Sequence, residues 1–142
     1  MLITREVDYA VRCVLDVART GRTSTAAVAE RAGIPISILG RIVAAASRAG
    51  ILETRRGING GINLARAPDQ ISLLDVIEAV QGPLHINICC EHPDACEVMD
   101  ECPIRPVCQE AFGEVTRIFS ITYEQLLNGG NNPFRVTAES EA

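Results

Sequence analysis

From Val7 onward, apolar residues recur at a helical interval. Val7, Ala10, Val11, Val14, Leu15 and Ala18 fall at i, i+3, i+4, i+7, i+8 and i+11, one stripe along a single helix. Thr4 is placed to cap its start, Glu6 and Asp8 sit in its positive first turn, and Gly21 closes it. Asp8, Arg12 and Arg19 lie off the stripe. Ser24 or Thr25 opens a shorter helix running to Ala32, with Val28 on its core side. Gly33 then supplies a left-handed turn residue, and Pro35, with its preset φ, opens a third helix. Ile38, Leu39, Ile42, Val43 and Ala46 form the inward face of this helix. Ser37, Arg41, Ala44 and Arg48 form the opposite face, which is small and basic, as suits a helix entering a major groove. Helix, glycine-bearing turn and helix together make a helix-turn-helix.

The period then changes. Residues 51–54 (ILET) and 62–64 (INL) read as two short strands, joined by the tip Arg55-Arg56-Gly57-Ile58-Asn59-Gly60-Gly61. Arg55, Arg56, Asn59 and Gly60 give this tip guanidinium groups, an amide and an open backbone with which to approach phosphates or a narrow minor groove. A glycine-rich loop can also cradle a nucleotide phosphate, but no Walker lysine follows, and the chain contains no lysine. Ser72 caps a further helix through Gln81, with Leu73, Val76, Ile77 and Val80 on its apolar side, and Gly82-Pro83 stops it. A long helix is expected from Pro103 on. There Ile104, Val107, Ala111, Val115, Ile118 and Thr122 repeat at threes and fours, and Phe112 and Phe119 add a second apolar edge. That is more apolar surface than a terminal helix needs, so a partner helix from a second subunit is expected to cover part of it.

The organisation predicted is a mainly α, winged helix-turn-helix protein with a long C-terminal dimerisation helix. Residues 1–82 form the DNA-binding domain, 83–102 a cysteine-rich loop, 103–128 the dimerisation helix and C-terminal helix, and 129–142 a flexible tail. The composition agrees: there is no Trp, only 4% of residues are aromatic, and the core must be built from Ala, Val, Ile and Leu. With no membrane-length apolar run and no signal-peptide stretch, a cytoplasmic protein is expected.

Charge sharpens the division. Residues 1–68 carry ten arginines against five acids, and residues 69–142 carry three arginines against thirteen acids. The first half can meet phosphates, and the second would be held away from them. The net charge of −5 conceals this polarity.

Five of the six cysteines fall within residues 89–108, and Cys90, Cys96, Cys102 and Cys108 are separated by five residues each. In a chain with no mark of export, thiols so placed point to a metal or iron–sulfur site, or to redox chemistry, rather than to structural disulfides. Cys13 reads as a small buried residue beside the first apolar stripe, and His85 and His92 as solvated loop residues. No catalytic constellation is evident, so enzyme activity is not expected.

The opening LITREVDYAVR, the helix GIPISILGRIV, the hairpin AGILETRRGINGGINLA and the run Cys90-x5-Cys96-x5-Cys102, in that order, resemble the IscR/NsrR-type regulators. These are winged-helix dimers of the Rrf superfamily, and the resemblance spans roughly residues 1–128. It implies a homodimeric DNA-binding repressor that binds an iron–sulfur cluster, 2Fe–2S or 4Fe–4S, through Cys90, Cys96 and Cys102. Soft thiolates suit a cluster iron on independent chemical grounds. The fourth ligand departs from the IscR pattern: a histidine there is replaced by Arg105, which cannot ligate. Asp8 matches the place from which NsrR-like members reach across from the other subunit, and Cys108 is the local alternative, with Cys89 and His92 behind them. Arg41 stands where IscR-like members carry part of a polar base-reading pair, and Arg56 matches a wing position that reaches DNA. Two alternatives stay open. One is a DNA-binding regulator switched by thiol–disulfide or zinc chemistry, and the other an iron–sulfur protein that binds no DNA.

Overall fold

The computed structural model describes residues 2–98 and 100–129, with Cys90 and Pro93 as backbone alone; the acidic segment 130–142, most of the expected flexible tail, lies outside the described residues. Three helices open the chain: α1 (Arg5–Thr20), α2 (Thr25–Ala32) and α3 (Ile36–Arg48). The Thr4 hydroxyl accepts from the Val7 amide at the start of α1, and the Ser24 hydroxyl does the same for Ala27 at the start of α2. Gly33 takes the left-handed conformation, φ 64°, that turns α2 into α3, and Pro35 becomes the N-cap of α3.

The predicted stripes supply much of the core, but on α1 the buried edge is rotated: Cys13 and Val17 are buried, while Val11, Leu15 and Ala18 are only partly so. Val7, Ala10, Cys13, Val14 and Val17 of α1 are fully buried, together with Val28, Leu39, Ile42 and Ala46. Removing one such leucine or isoleucine side chain costs about 2–5 kcal/mol. Two arginines fix α2 against α1. Arg31 clamps Asp16 with two bonds, Nε to Oδ1 at 3.0 Å and Nη2 to Oδ2 at 2.8 Å, and Arg12 Nη1 donates to the Ala32 carbonyl at 2.9 Å.

Strands β1 (Leu52–Arg55) and β2 (Gly61–Leu64) form an antiparallel hairpin, with Leu52 opposite Leu64 and Arg55 opposite Gly61. The hairpin is tied to the α1–α2 connection: Thr23 N donates to Ile62 O at 3.0 Å, and Ile62 N to Thr23 O at 2.7 Å. A Cβ on Gly61, whose φ is +141°, would stand 2.6 Å from the Thr23 carbonyl oxygen, so only glycine fits.

Helix α4 (Leu73–Gln81) begins with a full capping box between Ser72 and Asp75 and packs along α1. The segment expected to be a loop contains a short helix, α5 (Ile88–Glu91), and a 3-10 turn at Pro93–Ala95. Asn87, whose Oδ1 accepts from the Ile88 amide at 2.7 Å, caps α5, a signal the cysteine pattern overshadowed. Helix α6 (Arg105–Phe119) starts two residues after Pro103, and α7 (Tyr123–Leu127) returns to the core. Tyr123 is fully buried, and its hydroxyl donates to the Val11 carbonyl of α1 at 3.4 Å.

No residue of α6 is buried. Phe112, Val115 and Phe119 lean on a small second core of Val7, Ile77 and Leu84. Ile104, just before the helix, and Val107 remain 62% and 64% exposed, and Ile118 is exposed too. Among the described residues no helix is long and apolar enough to cross a membrane.

Candidate nucleic-acid interface and cysteine cavity

Ser37, Gly40, Arg41, Ala44 and Arg48 are all exposed, on the α3 face opposite Leu39, Ile42, Val43 and Ala46. A face of this kind, small in the middle and guanidinium-bearing, lets a helix lie deep in a major groove. Arg41 is lightly held: its Nη2 stands 3.7 Å from Glu6 Oε1 at the start of α1, and its side chain is 70% exposed. A surface pair of this kind contributes about 0–1 kcal/mol and is readily exchanged for a base edge or phosphate.

The wing presents Arg55, Arg56 and Asn59 to solvent, with Ile58 fully exposed at its tip. Arg55 Nη2 lies 4.0 Å from Glu53 Oε1. Arg48 and Arg56 have no ion-pair partner among the described residues. Arg22 Nη1 donates to the Asn59 carbonyl at 3.4 Å, adding one more basic residue beside the tip that the sequence reading did not single out. Gly60, expected to permit close approach to DNA, has a local role first. A Cβ there would collide with the carbonyl oxygens of Arg55 and Gly57, so the turn itself demands glycine.

Five of the six cysteines lie in the second half of the chain. Cys89, Cys96 and Cys102 line one cavity of about 130 Å³, together with Asn87, Ile88, Ile104 and Arg105. Of the three expected cluster ligands, the structure therefore brings Cys96 and Cys102 together; the Cys90 side chain lies outside the described residues. Cys108, in the first turn of α6, is not among the lining residues, and its Sγ accepts from Asn87 Nδ2 at 3.9 Å. Asp8 is on α1, where its Oδ2 pairs with Arg12 Nη2 at 2.7 Å. Cys89 is the lining residue that an even spacing passes over. Cys13 is fully buried in the core, where burial first and Asp16 second push its thiol up to about 12, so it stays a neutral core residue. Among the described residues no three His, Cys, Asp or Glu side chains converge as the ligands of one ion would. The thiols stand instead around a wider space, with apolar isoleucines and a guanidinium in its wall. Soft donors beside a positive charge are a set that fits an iron–sulfur cluster.

The cysteine segment is anchored to α1 and α4, the helices that pack against α3. Leu84 is buried between Val7 of α1 and Ile77 of α4, α5 contacts α6, and Phe112 of α6 joins the same small core. Glu6, one residue before Val7, is the neighbour of Arg41.

Comparison with known proteins agrees with this architecture. A family described as Rrf2, iron-dependent transcriptional regulator, matches residues 3–129. The HTH-type transcriptional regulator IscR of Photorhabdus laumondii is 29% identical over 132 residues, 90% of this chain and 80% of that protein. The HTH-type transcriptional regulator NsrR of Halalkalibacterium halodurans is 28% identical over 83% of this chain and 84% of its own. A protein of Synechocystis sp. described as an HTH-type transcriptional regulator is 40% identical over 87 residues, 59% of each chain. Among solved structures, T. potens IscR shares the fold with a TM-score of 0.73 at 22% identity, over 94% of this chain and 91% of that one. CymR, the global cysteine regulator of B. subtilis, does so at 0.69 and 23%, over 92% and 99%. With a helix-turn-helix, a basic wing and a family match over nearly its whole described length, this chain belongs to the Rrf2 family of transcriptional regulators, which are not enzymes.

Proposed function

We propose that the protein is a homodimeric, cytoplasmic repressor whose operator affinity is set by an iron–sulfur cluster held in the cysteine segment. The observation that carries this reading is the gathering of Cys96 and Cys102 around one cavity, on a segment anchored through Leu84 to the helix that bears Glu6 beside Arg41. Cys90, Cys96 and Cys102 would hold the cluster, with Arg105 offsetting negative charge from the cavity wall. Bound there, the cluster supplies a centre sensitive to iron supply, redox state or nitric oxide.

The chain's own residues do the rest. Ser37, Arg41 and Arg48 of α3 read or flank base edges in the major groove. Arg55, Arg56, Asn59 and the backbone at Gly60 meet phosphates and minor groove. Two copies joined through the open edge of α6 would place their α3 helices in successive major grooves of a pseudo-palindromic site. Ordering of the cysteine segment changes the packing of Leu84 against Val7, and so the seat of α1 beside the recognition helix. A differential interaction of a few kcal/mol between two such arrangements is enough to switch occupancy.

A second reading, thiol oxidation without a cluster, is favoured by the juxtaposition of Cys89, Cys96 and Cys102 in one cavity and by the likeness in fold to a cysteine regulator. Anaerobic purification with visible absorption and iron and sulfide counts separates the two. The cluster reading expects a brown protein with both elements in stoichiometric amount. A colourless protein lacking both after anaerobic reconstitution would leave thiol chemistry as the switch.

A further inference from the structure

We infer that Ile58 is an apolar wedge that enters the minor groove and parts one base-pair step in each half-site; the inference rests on the DNA-facing role proposed for the wing. Ile58 is 105% exposed, more than any other large apolar side chain among the described residues, while Ile62 of the same hairpin is 1% exposed. Neither packing nor the turn accounts for an isoleucine there. Gly60 N donates to Gly57 O at 2.9 Å and closes a four-residue turn, with Ile58 and Asn59 at its apex. Such positions ordinarily carry Gly, Pro, Asn, Asp or Ser, each for a local backbone reason, and a β-branched chain supplies none of these.

The surroundings fit a groove in nucleic acid. Gly57 precedes the apex and Gly60 and Gly61 follow it, so the tip is narrow, as a minor groove about 6 Å wide requires. Arg55 and Arg56 lead into the apex and exposed Arg22 stands beside it, cations that can hold the phosphates around an inserted side chain. A wedge must also be braced, since stacked bases resist it. Arg22 Nη1 donates to the Asn59 carbonyl at 3.4 Å, tying the α1–α2 connection to the apex. Behind it Thr23 and Ile62 exchange two backbone bonds, of 3.0 and 2.7 Å. The side chain of Ile58 is stiff at χ1, so little freedom is lost on insertion. Its removal from water offsets part of the cost of unstacking. That cost is low at pyrimidine–purine steps, so the wing selects a flexible step without a hydrogen bond to any base.

The test uses the full chain, with its cluster reconstituted and again after iron removal, on an operator duplex selected by the protein itself; the form that binds is carried forward. Wild type, Ile58→Ser and Ile58→Leu are compared, with the melting temperature as the control for folding. A fluorescent adenine analogue replaces one adenine at a time along the flanking minor groove, and energy transfer between dyes on the duplex ends reads the bend. Wild type and Ile58→Leu are expected to brighten the analogue at one pyrimidine–purine step per half-site and to bend the duplex. Ile58→Ser is expected to lose both signals and to bind that operator at least about fivefold more weakly. It should keep the salt slope of wild type, since no phosphate contact is removed. Ile58→Ser that retains the brightening, the bend and the affinity would overturn the wedge and leave the wing riding the groove on its arginines. Wild type that binds without brightening the analogue at any step would overturn it equally. Wild-type protein that retains no duplex in either form would overturn the wing's place on DNA as well.

Discussion

Arg41 and Arg55 are both exposed arginines on the basic half of the chain, yet their settings predict different losses. Arg41 projects from the exposed face of α3, and among the described residues its ion-pair partner is Glu6 at 3.7 Å. Its guanidinium suits guanine O6 and N7. Arg41→Ala is therefore expected to cost about 1–3 kcal/mol on the preferred operator and to relax selection at one base pair per half-site. Arg55 sits at the end of β1, its side chain 63% exposed and 4.0 Å from Glu53, a setting that suits a phosphate contact. Arg55→Ala is expected to weaken all sequences about equally and to reduce the salt slope of binding by about 1. Quantitative binding to preferred and scrambled duplexes over a salt series separates the two. Uniform weakening by Arg41→Ala would remove that residue from base reading. Cys13 marks the opposite extreme: fully buried beside Tyr123, it belongs to packing despite its chemistry.

Among the elements, the helices were legible because their signals are local. Thr4, Ser24 and Ser72 cap where a short polar side chain precedes an apolar stripe, and Gly21, Gly33 and Gly82 end those helices. The wing was legible as two strands around a glycine-rich tip, but its seat was not. The bridge from Thr23 to Ile62 joins residues far apart in sequence through backbone atoms, which side-chain patterning does not reveal. The same limit hid the cysteine cavity. Spacing orders thiols along the chain, whereas α5 and the 3-10 turn decide which of them share a wall, so Cys89 enters and Cys108 faces Asn87. The wing seat carries its own prediction. Gly61→Ala puts a Cβ against the Thr23 carbonyl at a φ that L-residues rarely adopt, a strain of about 1–3 kcal/mol. The variant is expected to fold with a lowered melting temperature and to lose more DNA affinity than Arg55→Ala alone. Unchanged melting and binding would show that the hairpin is not held by this contact.

At the scale of the molecule, the chain separates an exposed basic surface on α3 and the wing from an acidic half that carries five of the six thiols. Helix α6 lies in that acidic half, one edge on Leu84 and Ile77 and the other open at Val107 and Ile118. If that open edge joins two copies, Val107→Glu places a charge in the interface. Sedimentation should then show a monomer, and binding to a two-half-site operator should fall to the level of a single half-site. A dimer retained by Val107→Glu would put the interface elsewhere. The central claim is that occupancy of the cysteine segment sets DNA affinity. The most direct test is to titrate one anaerobic preparation onto an operator duplex selected by the protein itself, at fixed salt, before and after its iron is removed by a chelator. The account predicts dissociation constants at least about tenfold apart, or about 1.4 kcal/mol, with Cys96→Ala fixed at the stripped value. Equal affinities in the two states, from a preparation shown to have held and lost its iron, would contradict it.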